Sequence, residues 1–214
     1  MKALKNILML IIIIAILTVG MSLALITMKT VDTKVKYIDI IEKYSKQYNS
    51  DPLMIASIIK VESDFDTDAV SPMNAKGLMQ ILPDTGQWIS ERLNEDYHDE
   101  KLHDPDYNIH LGAYYYEYLY EHFGDVEIAL AAYNGGMGNV EEWLKDPSIS
   151  YHGDKLDNIP FGETRNYVNK VMNTYKTYKL FYENNLPTQS EFDNPISLIW
   201  SNYKAFIKDI IKSF

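Results

Sequence analysis

Residues 52–63 read PLMIASIIKVES and form the centre from which the rest of the chain can be interpreted. The stretch is largely apolar, so the sequence predicts a helix that is buried in the protein core. Asp51 and Pro52 are typical of a helix start, with Asp51 as the N-cap and Pro52 at the first helical position. Glu62 lies at the end of this helix. The sequence therefore predicts a carboxylate among apolar neighbours.

Helical patterns continue on both sides of this stretch. Residues 35–49 place Ile38, Ile41 and Tyr44 on one face, which predicts an amphipathic helix. Further helices are expected at about 77–81, 83–93, 104–122, 125–134, 138–145 and 163–183. Asp104-Pro105 should begin the 104–122 helix, and Gly124 should close it. No alternation with a period of two residues occurs over any length, so the expected fold class is mainly α. We expect one helical domain over residues 35–183.

The first residues predict a membrane anchor. Residues 7–28 contain no charged side chain, and Lys2 and Lys5 precede them. A helix of this length spans about 33 Å, which is enough to cross a bilayer core. A cleaved signal peptide is less favoured, because its apolar run is usually ~7–15 residues long, and a buried core helix is the remaining alternative. The lysines favour a cytoplasmic segment at 1–6 and a single-pass protein of the cell membrane.

The last residues predict a linker and an amphipathic helix. Residues 184–195 are polar, contain two prolines and show little periodicity, which indicates a linker. Residues 196–214 repeat apolar side chains at helical spacing, with Lys204 and Lys208 on the other face. This C-terminal helix either packs on the domain or on another copy of the chain, or lies on an anionic membrane with its lysines toward the headgroups. A membrane or a partner protein is therefore its expected contact.

The composition excludes several functional classes. Hydrophobic residues make up 46% of the 214 residues and charged residues 23%, which is ordinary for a globular protein. The net charge of −10 disfavours nucleic-acid binding. The sequence has no cysteine, so disulfides, thiolate metal sites and cysteine nucleophiles are excluded. The five histidines form no i, i+4 metal pair and no HExxH motif, so we expect no metal and no cofactor.

The apolar neighbours of Glu62 predict an unusual acidity for its side chain. Loss of hydration disfavours the ionised form, so the pKa of Glu62 should be raised. A glutamic acid with a raised pKa can serve as a general acid near neutral pH. A structural interpretation is the stronger one when Glu62 is considered alone, since a helix-terminal glutamate often pairs with a lysine such as Lys60 or caps another helix.

Other parts of the chain carry neutral polar side chains and glycines that suit a sugar. These segments are Ser71, Gly77-Leu78-Met79-Gln80 with Pro83, Ala131-Ala132-Tyr133-Asn134 with Gly138-Asn139-Val140, and Glu163-Thr164-Arg165 with Tyr167-Val168. Serine, glutamine, asparagine and tyrosine offer donors and acceptors to a neutral polyhydroxyl ligand without a counter-charge. The glycines allow the backbone to approach a ligand or another helix closely.

Together with Glu62-Ser63 and Phe65, these blocks closely resemble the soluble lytic transglycosylase family, which has a goose-type lysozyme-like fold. The resemblance covers about residues 50–182. It implies a lysozyme-like helical domain, here behind an N-terminal transmembrane helix, that acts on the glycan strands of peptidoglycan. Because this substrate lies outside the cytoplasmic membrane, the domain is expected on the extracytoplasmic side.

The resemblance also implies roles for individual residues. Glu62 matches the sole catalytic acid/base of the family. Substrate-binding positions are matched by Ser71, Gln80, Tyr133, Asn134 and Tyr167. Tyr167 matches the tyrosine that positions the catalytic glutamate, and Glu163 matches a glutamate that is structural or contacts the peptide. Asn74 replaces a common glycine and Leu82 a common methionine, which affects the details of the subsites rather than the chemistry.

The implied reaction needs a single carboxylate. Glu62 would protonate the β-1,4 glycosidic oxygen between N-acetylmuramic acid and N-acetylglucosamine, and then accept the proton of the muramic C6 hydroxyl as it attacks C1. The product is a 1,6-anhydro sugar, and no water is consumed. Two alternatives stay open: a lysozyme-like hydrolase, and a catalytically silent wall-binding module of a secretion or spore-assembly complex. The hydrolase would need a nearby aspartate as base, from among Asp64, Asp66, Asp68 and Asp84.

Overall fold

The computed structural model describes residues 2–32, 35–182, 186–187 and 194–212. Within these residues the chain forms nine α-helices: α1 Lys2–Asp32, α2 Ile38–Tyr48, α3 Pro52–Ser63, α4 Pro83–Leu93, α5 Pro105–Phe123, α6 Val126–Gly135, α7 Met137–Lys145, α8 Gly162–Tyr182 and α9 Pro195–Lys212. A 3-10 helix, Asp99–His103, precedes α5. The described residues contain two isolated β-bridges and no strand. The prediction of a mainly α fold is confirmed.

The helices fall into two compact units. Residues 35–179, with Leu186, form a helical unit that contains α2 to α7 and most of α8. The second unit contains α1 and α9, which pack against each other. Most of the predicted linker, 184–195, lies outside the described residues, as do residues 213–214.

One helix is long and apolar enough to cross a membrane. Residues Lys5–Ala24 of α1 form the qualifying stretch, and its side chains are not buried within the protein. A signal sequence near the N-terminus would meet the same criteria of length and composition.

Helix α3 forms the centre of the helical unit, as the sequence predicts. Every residue from Leu53 to Ile59 is buried. The Leu53 N–H donates to Asp51 Oδ1 at 2.8 Å, so Asp51 is the N-cap. The hydroxyl of Tyr175 in α8 donates to Asp51 Oδ2 at 2.6 Å, so the same carboxylate also links the start of α3 to α8.

Helix α5 makes the most widespread contacts in this unit, since it packs against α2, α4, α6 and the 3-10 helix. Its capping residues are those expected from the sequence. The Tyr107 N–H donates to Asp104 Oδ1 at 3.0 Å at the start of the helix, and Gly124 ends it with a φ of 71°. A positive φ at this position suits glycine, which lacks a Cβ atom.

The prediction of a helix at 77–81 is wrong, because these residues form a tight turn. Lys76 and Ile81 exchange both backbone hydrogen bonds at 3.0 Å, so they close an antiparallel bridge around the four residues between them. Gly77 has a φ of 72° and Gln80 a φ of 48°, and neither value is helical. We call residues 76–81 the bridge turn.

The bridge turn is held by one buried amide on α5. Asn108, only 1% exposed, accepts a hydrogen bond from the Met79 N–H at 2.7 Å. Its Nδ2 donates to the carbonyl oxygens of Lys76 at 2.9 Å and Leu102 at 2.7 Å. Gly77 lies so close to Asn108 and to the Leu102 carbonyl that any Cβ atom there would collide with both.

We expect the substitution Asn108→Ala to destabilise the protein by about 3 kcal/mol, because it leaves the Met79 N–H and the Leu102 carbonyl without partners and removes one of the two hydrogen bonds of the Lys76 carbonyl. Thermal unfolding of the full chain, followed by circular dichroism, measures the change. The matched control is Asn173→Ala at an exposed position of α8, which should change stability by less than about 0.5 kcal/mol. Equal effects of the two substitutions would contradict the structural role given to Asn108.

Candidate active site

Glu62 lies in the last turn of α3 and is half-buried. Burial raises the pKa of its carboxyl group from the ordinary 4.5 to about 7. The hydroxyl of Tyr167 in α8 faces this carboxyl group and lowers its pKa by a smaller amount, although the two groups fall short of full hydrogen-bond geometry. The shift predicted from the apolar neighbours of Glu62 is therefore present, with burial as its main cause.

An ion pair between Glu62 and Lys60, which a purely structural role for Glu62 would favour, is not among the ion pairs of the described residues. Lys60 Nζ pairs with Asp64 Oδ1 at 2.6 Å, one turn along the same helix. Asp64 and Phe65 then end α3 with φ values of 52° and 63°. Two consecutive left-handed residues that are not glycine are unfavourable, and such strain is often found beside functional groups. Phe65 is buried, so packing of its ring keeps this helix end in place.

Two tyrosines surround Glu62 with neutral donors. Burial and the nearby Glu62 carboxyl group raise the pKa of Tyr133 and of Tyr167 well above the ordinary value of a tyrosine. Both hydroxyl groups therefore keep their protons at neutral pH. Tyr133 donates its hydrogen bond to the Met79 carbonyl at 2.8 Å, so its ring is fixed against the bridge turn.

The bridge turn connects directly to the end of α3. The Ser63 hydroxyl, next to Glu62, donates to the Leu78 carbonyl at 2.8 Å. Together with the Tyr133 bond to Met79, this contact places the bridge turn between α3 and α6. The position of Glu62 relative to the turn is thus set by hydrogen bonds from both helices.

A cavity of about 240 Å³ opens beside this arrangement. Among the residues predicted from the sequence, it is lined by Gln80, Tyr133 and Asn134. Gln80 Nε2 donates to the carbonyl oxygens of Ala69 and Gly77, at 3.1 and 2.9 Å, which holds its side chain against the loop. The cavity is therefore bounded by neutral polar groups and by the glycines that end α6.

Four predicted site residues do not line this cavity: Glu62 and Tyr167, which face each other, and Ser71 and Glu163. Ser71 does not line this cavity; its hydroxyl accepts a hydrogen bond from the Ala75 N–H at 3.0 Å and closes the loop before the bridge turn. Asn74 in the same loop has a φ of 64°, the left-handed conformation that asparagine tolerates. Glu163 is exposed in the first turn of α8.

All four aspartates near Glu62 in sequence are exposed, and three of them make local contacts. Asp64 pairs with Lys60, and Asp66 Oδ1 accepts a hydrogen bond from the Asp68 N–H at 3.0 Å. Asp84 lies in the first turn of α4, where a negative charge is favourable. Burial and Tyr167 account for the shifted pKa of Glu62, with no contribution from a second carboxylate.

Sequence reasoning missed three residues that build the site. Thr85 and Tyr115 line the cavity, and Asn108 holds the bridge turn. Tyr115 was one of five tyrosines crowded on α5, and no periodic pattern singled it out. A signal for Asn108 existed, since an asparagine within an apolar stretch of helix usually needs buried partners.

Comparison with known proteins agrees with this geometry. The sequence profile of the family described as Transglycosylase SLT domain matches residues 39–152, which is more than half of the chain. The chain belongs to this family. The SLT domain found here is 32% identical over 156 residues to the soluble lytic murein transglycosylase of Escherichia coli, covering 71% of this chain and 24% of that protein. It is 30% identical over 173 residues to the membrane-bound lytic murein transglycosylase C of Edwardsiella ictaluri, covering 67% of this chain and 46% of that protein.

Solved structures show the same fold. An inactive variant of the lytic transglycosylase Slt of Pseudomonas aeruginosa superposes with a TM-score of 0.61 at 31% identity, covering 71% of this chain and 25% of that one. A 70 kDa soluble lytic transglycosylase in complex with bulgecin A also gives a TM-score of 0.61 at 30% identity, covering 72% of this chain and 26% of that one. The chain thus spans about a quarter of these soluble relatives, and the expected lysozyme-like helical domain is confirmed.

The raised pKa of Glu62 predicts a pH-dependent stability. The unfolded chain loses the Glu62 proton near pH 4.5 and the folded chain near pH 7, so stability falls as pH rises through that window. Glu62→Gln removes this effect. At pH 8 the variant should be about 2–3 kcal/mol more stable than the wild type, and near pH 4 the two should be equal.

Thermal unfolding of the full chain at both pH values measures this difference. The exposed residue Glu127 supplies the control, because it lies in the first turn of α6 and Glu127→Gln should lower stability slightly at pH 8, opposite in sign to Glu62→Gln. A Glu62→Gln variant that is less stable than the wild type at pH 8 would show that ionisation of Glu62 does not destabilise the folded protein.

Proposed function

We propose that this chain is a peptidoglycan lytic transglycosylase that cleaves the β-1,4 bond between N-acetylmuramic acid and N-acetylglucosamine, with formation of a 1,6-anhydro sugar. The observation that carries the proposal is Glu62, whose pKa of about 7 leaves it partly protonated at neutral pH. Its carboxyl group lies near Tyr133, which lines a cavity together with Gln80 and Asn134, in a chain of the SLT family. We assign the catalytic domain to residues 35–183, followed by a linker at 184–195.

Glu62 acts first as an acid and then as a base. Its carboxyl proton passes to the glycosidic oxygen as the bond from C1 of the muramic sugar breaks. The carboxylate left behind stabilises the positive charge on that sugar, and then accepts the proton of the C6 hydroxyl as its oxygen bonds to C1. The proton balance closes, since Glu62 ends the cycle as it began.

The neighbouring residues hold the substrate and the acid. Tyr167, a neutral donor, faces the Glu62 carboxyl group and positions it. Gln80, Tyr133 and Asn134 bind the sugar ring through the cavity that they line. Ser71 would contact the glycan from the loop before the bridge turn, and Glu163 serves a structural or peptide-contacting role at the start of α8.

The two alternatives receive less support from the geometry. A hydrolase needs a base that activates water, and the four nearby aspartates are exposed, three of them in local contacts. A silent binding module has no use for a carboxyl group kept at a pKa of about 7 by burial. The arrangement therefore favours the non-hydrolytic reaction.

We expect the wild-type chain to release anhydromuramyl products from purified peptidoglycan, and Glu62→Gln to release none. Mass spectrometry of the soluble muropeptides identifies the products, and the exposed Glu127→Gln variant is the control for loss of a surface charge. The rate should fall as pH rises through about 7, because the reaction begins with protonated Glu62. Reducing ends in place of anhydro ends would establish the hydrolase instead.

The proposed enzyme is anchored in the cell membrane by residues 7–28, with residues 1–6 in the cytoplasm and the catalytic domain outside. The stretch Lys5–Ala24 has the length and composition of a membrane span. One similar protein is named a membrane-bound lytic murein transglycosylase, which is consistent with this location. The substrate itself lies outside the cytoplasmic membrane.

The C-terminal helix supports a membrane contact in the same unit. Helix α9 leaves Ile196, Trp200 and Ile211 exposed, at 69%, 53% and 68%. Lys204 and Lys208 border the apolar groove that Trp200 and Ile211 line. Because α9 packs against α1, a membrane-inserted α1 would bring this face near lipid headgroups. A partner protein is the other occupant that such a face would accept.

We expect the full chain to remain in the membrane fraction after alkaline carbonate extraction, and a chain that begins at residue 29 to become soluble. Immunoblots of the two fractions measure the distribution, with the product assay above as the check that the shorter chain is folded. A mature chain that begins near residue 29 when the full gene product is expressed would show that the segment is a cleaved signal.

A further inference from the structure

Aromatic side chains of α4 and α5 extend beyond the cavity that Gln80 and Tyr133 line. Thr85 and Tyr115 line the cavity itself. One turn further along the same helix faces come Trp88 on α4 and Tyr118 on α5. The Trp88 ring meets Tyr115 at a centroid distance of 6.1 Å and Tyr118 at 5.0 Å, in edge-to-face geometry. These rings form a continuous aromatic wall that begins at the cavity.

Arg92 ends this wall. Its guanidinium carbon lies 4.8 Å from the centroid of the Trp88 ring and 4.7 Å from that of Tyr118. Contact with two rings that lie edge to face to each other restricts the guanidinium group, which carries several N–H donors. The side chain is exposed, so these donors are accessible from solvent.

The charge of Arg92 is not neutralised by the protein. In the part of the chain that the structure describes, the ion pairs of lysines and histidines involve other carboxylates, and none includes Arg92. Arg92 is also one of only two arginines in a chain with a net charge of −10. A restricted guanidinium without a carboxylate partner is suited to bind a carboxylate in bidentate fashion.

We propose that Trp88, Tyr118 and Arg92 form an extension of the substrate site, in which Arg92 binds a carboxylate carried by a muramic acid residue beyond the cleaved bond. The inference rests on the proposed function, because it takes the occupant of the cavity to be a peptidoglycan strand. Thr85 and Arg92 are seven residues apart on α4, so the carboxylate would lie about 10 Å along the strand from the cavity.

Two groups on muramic acid could supply this carboxylate. One is the lactyl carboxylate of the sugar, which is free when no peptide is attached. The other belongs to the peptide that is joined to the lactyl group in the intact wall. N-acetylglucosamine carries neither, so a strand made of that sugar alone offers Arg92 no anion.

Binding to the full chain in neutral detergent, with Glu62→Gln present to prevent cleavage, tests the proposal. Three oligosaccharides of equal length are compared: peptide-bearing peptidoglycan strands, the same strands with their peptides removed, and chito-oligosaccharide. We expect Arg92→Gln to raise the Kd for peptide-bearing strands about tenfold and to leave the Kd for chito-oligosaccharide unchanged. Arg92→Lys should recover only part of the loss, because an ammonium group neither stacks nor binds in bidentate fashion in the same way.

The stripped strands identify the source of the carboxylate. An Arg92 effect on the peptide-bearing strands alone assigns the peptide carboxylate, and an effect on the stripped strands alone assigns the lactyl carboxylate, which is an amide in the intact wall. An effect on both kinds of strand shows that Arg92 accepts either carboxylate. Lys46→Gln, an exposed cation on α2, is the charge-matched control and should change none of the three affinities. Thermal unfolding of each variant confirms that the fold is retained.

An equal loss of affinity for all three ligands, or no loss for any, would overturn the proposal. The cleavage assay keeps this result separate from the proposed function. If the wild-type chain releases no product but Arg92-dependent binding is measured, the reaction is wrong and the extended site stands. If anhydro products form and Arg92→Gln binds every ligand as the parent does, the reaction stands and the extended site is wrong.

Discussion

The buried amide of Asn108 holds the bridge turn, and the rest of the site is assembled against that turn. Its three hydrogen bonds satisfy the backbone of Lys76, Met79 and Leu102 where water cannot reach. Carbonyl groups of the bridge turn then accept hydrogen bonds from the hydroxyl groups of Ser63 and Tyr133. A helical domain with no strand among its described residues thus gains one rigid non-helical element, at the point where neutral polar groups must face a ligand.

Burial of the Glu62 carboxyl group lowers the stability of the folded protein when the group is ionised. A carboxyl group in this setting would be easier to bury as glutamine, because its ionised form loses hydration that the protein does not replace. The same loss of hydration keeps the pKa of Glu62 at about 7, which is where an acid that must also act as a base is most effective. The strained end of α3, at Asp64 and Phe65, is a second local cost beside the same group.

Aromatic side chains connect the cavity to the surface of the helical unit. The ring centroids of Tyr133 and Tyr115 are 5.3 Å apart, and those of Tyr115 and Trp88 are 6.1 Å apart. Rings of this kind have few rotatable bonds, so a surface made from them loses little entropy when a ligand binds. In the proposed extension of the site, these rings would contact the ligand beyond the cavity of about 240 Å³.

Local sequence signals were sufficient for the elements whose cause is local. Asp51, Asp104 and Gly124 each end or begin a helix through a hydrogen bond or a φ angle within a few residues, and each was predicted. The apolar run of α3 predicts that the helix is buried, so the direction of the Glu62 pKa shift was predictable as well, although groups near the carboxyl group come from other helices. The turn at 76–81 was predicted as a helix because its real determinant, Asn108, lies about 30 residues away on α5.

The sequence by itself therefore determined the helical class, the helix ends and the choice of Glu62 as the candidate acid, because periodicity, capping and an apolar helix can be recognised from residues that are close in sequence. Only the tertiary structure decided which groups surround that acid. Tyr133 and Tyr167 come from α6 and α8, and Thr85 and Tyr115 join the cavity from α4 and α5. Such contacts depend on how helices pack against one another, and no spacing along a single chain segment records that arrangement.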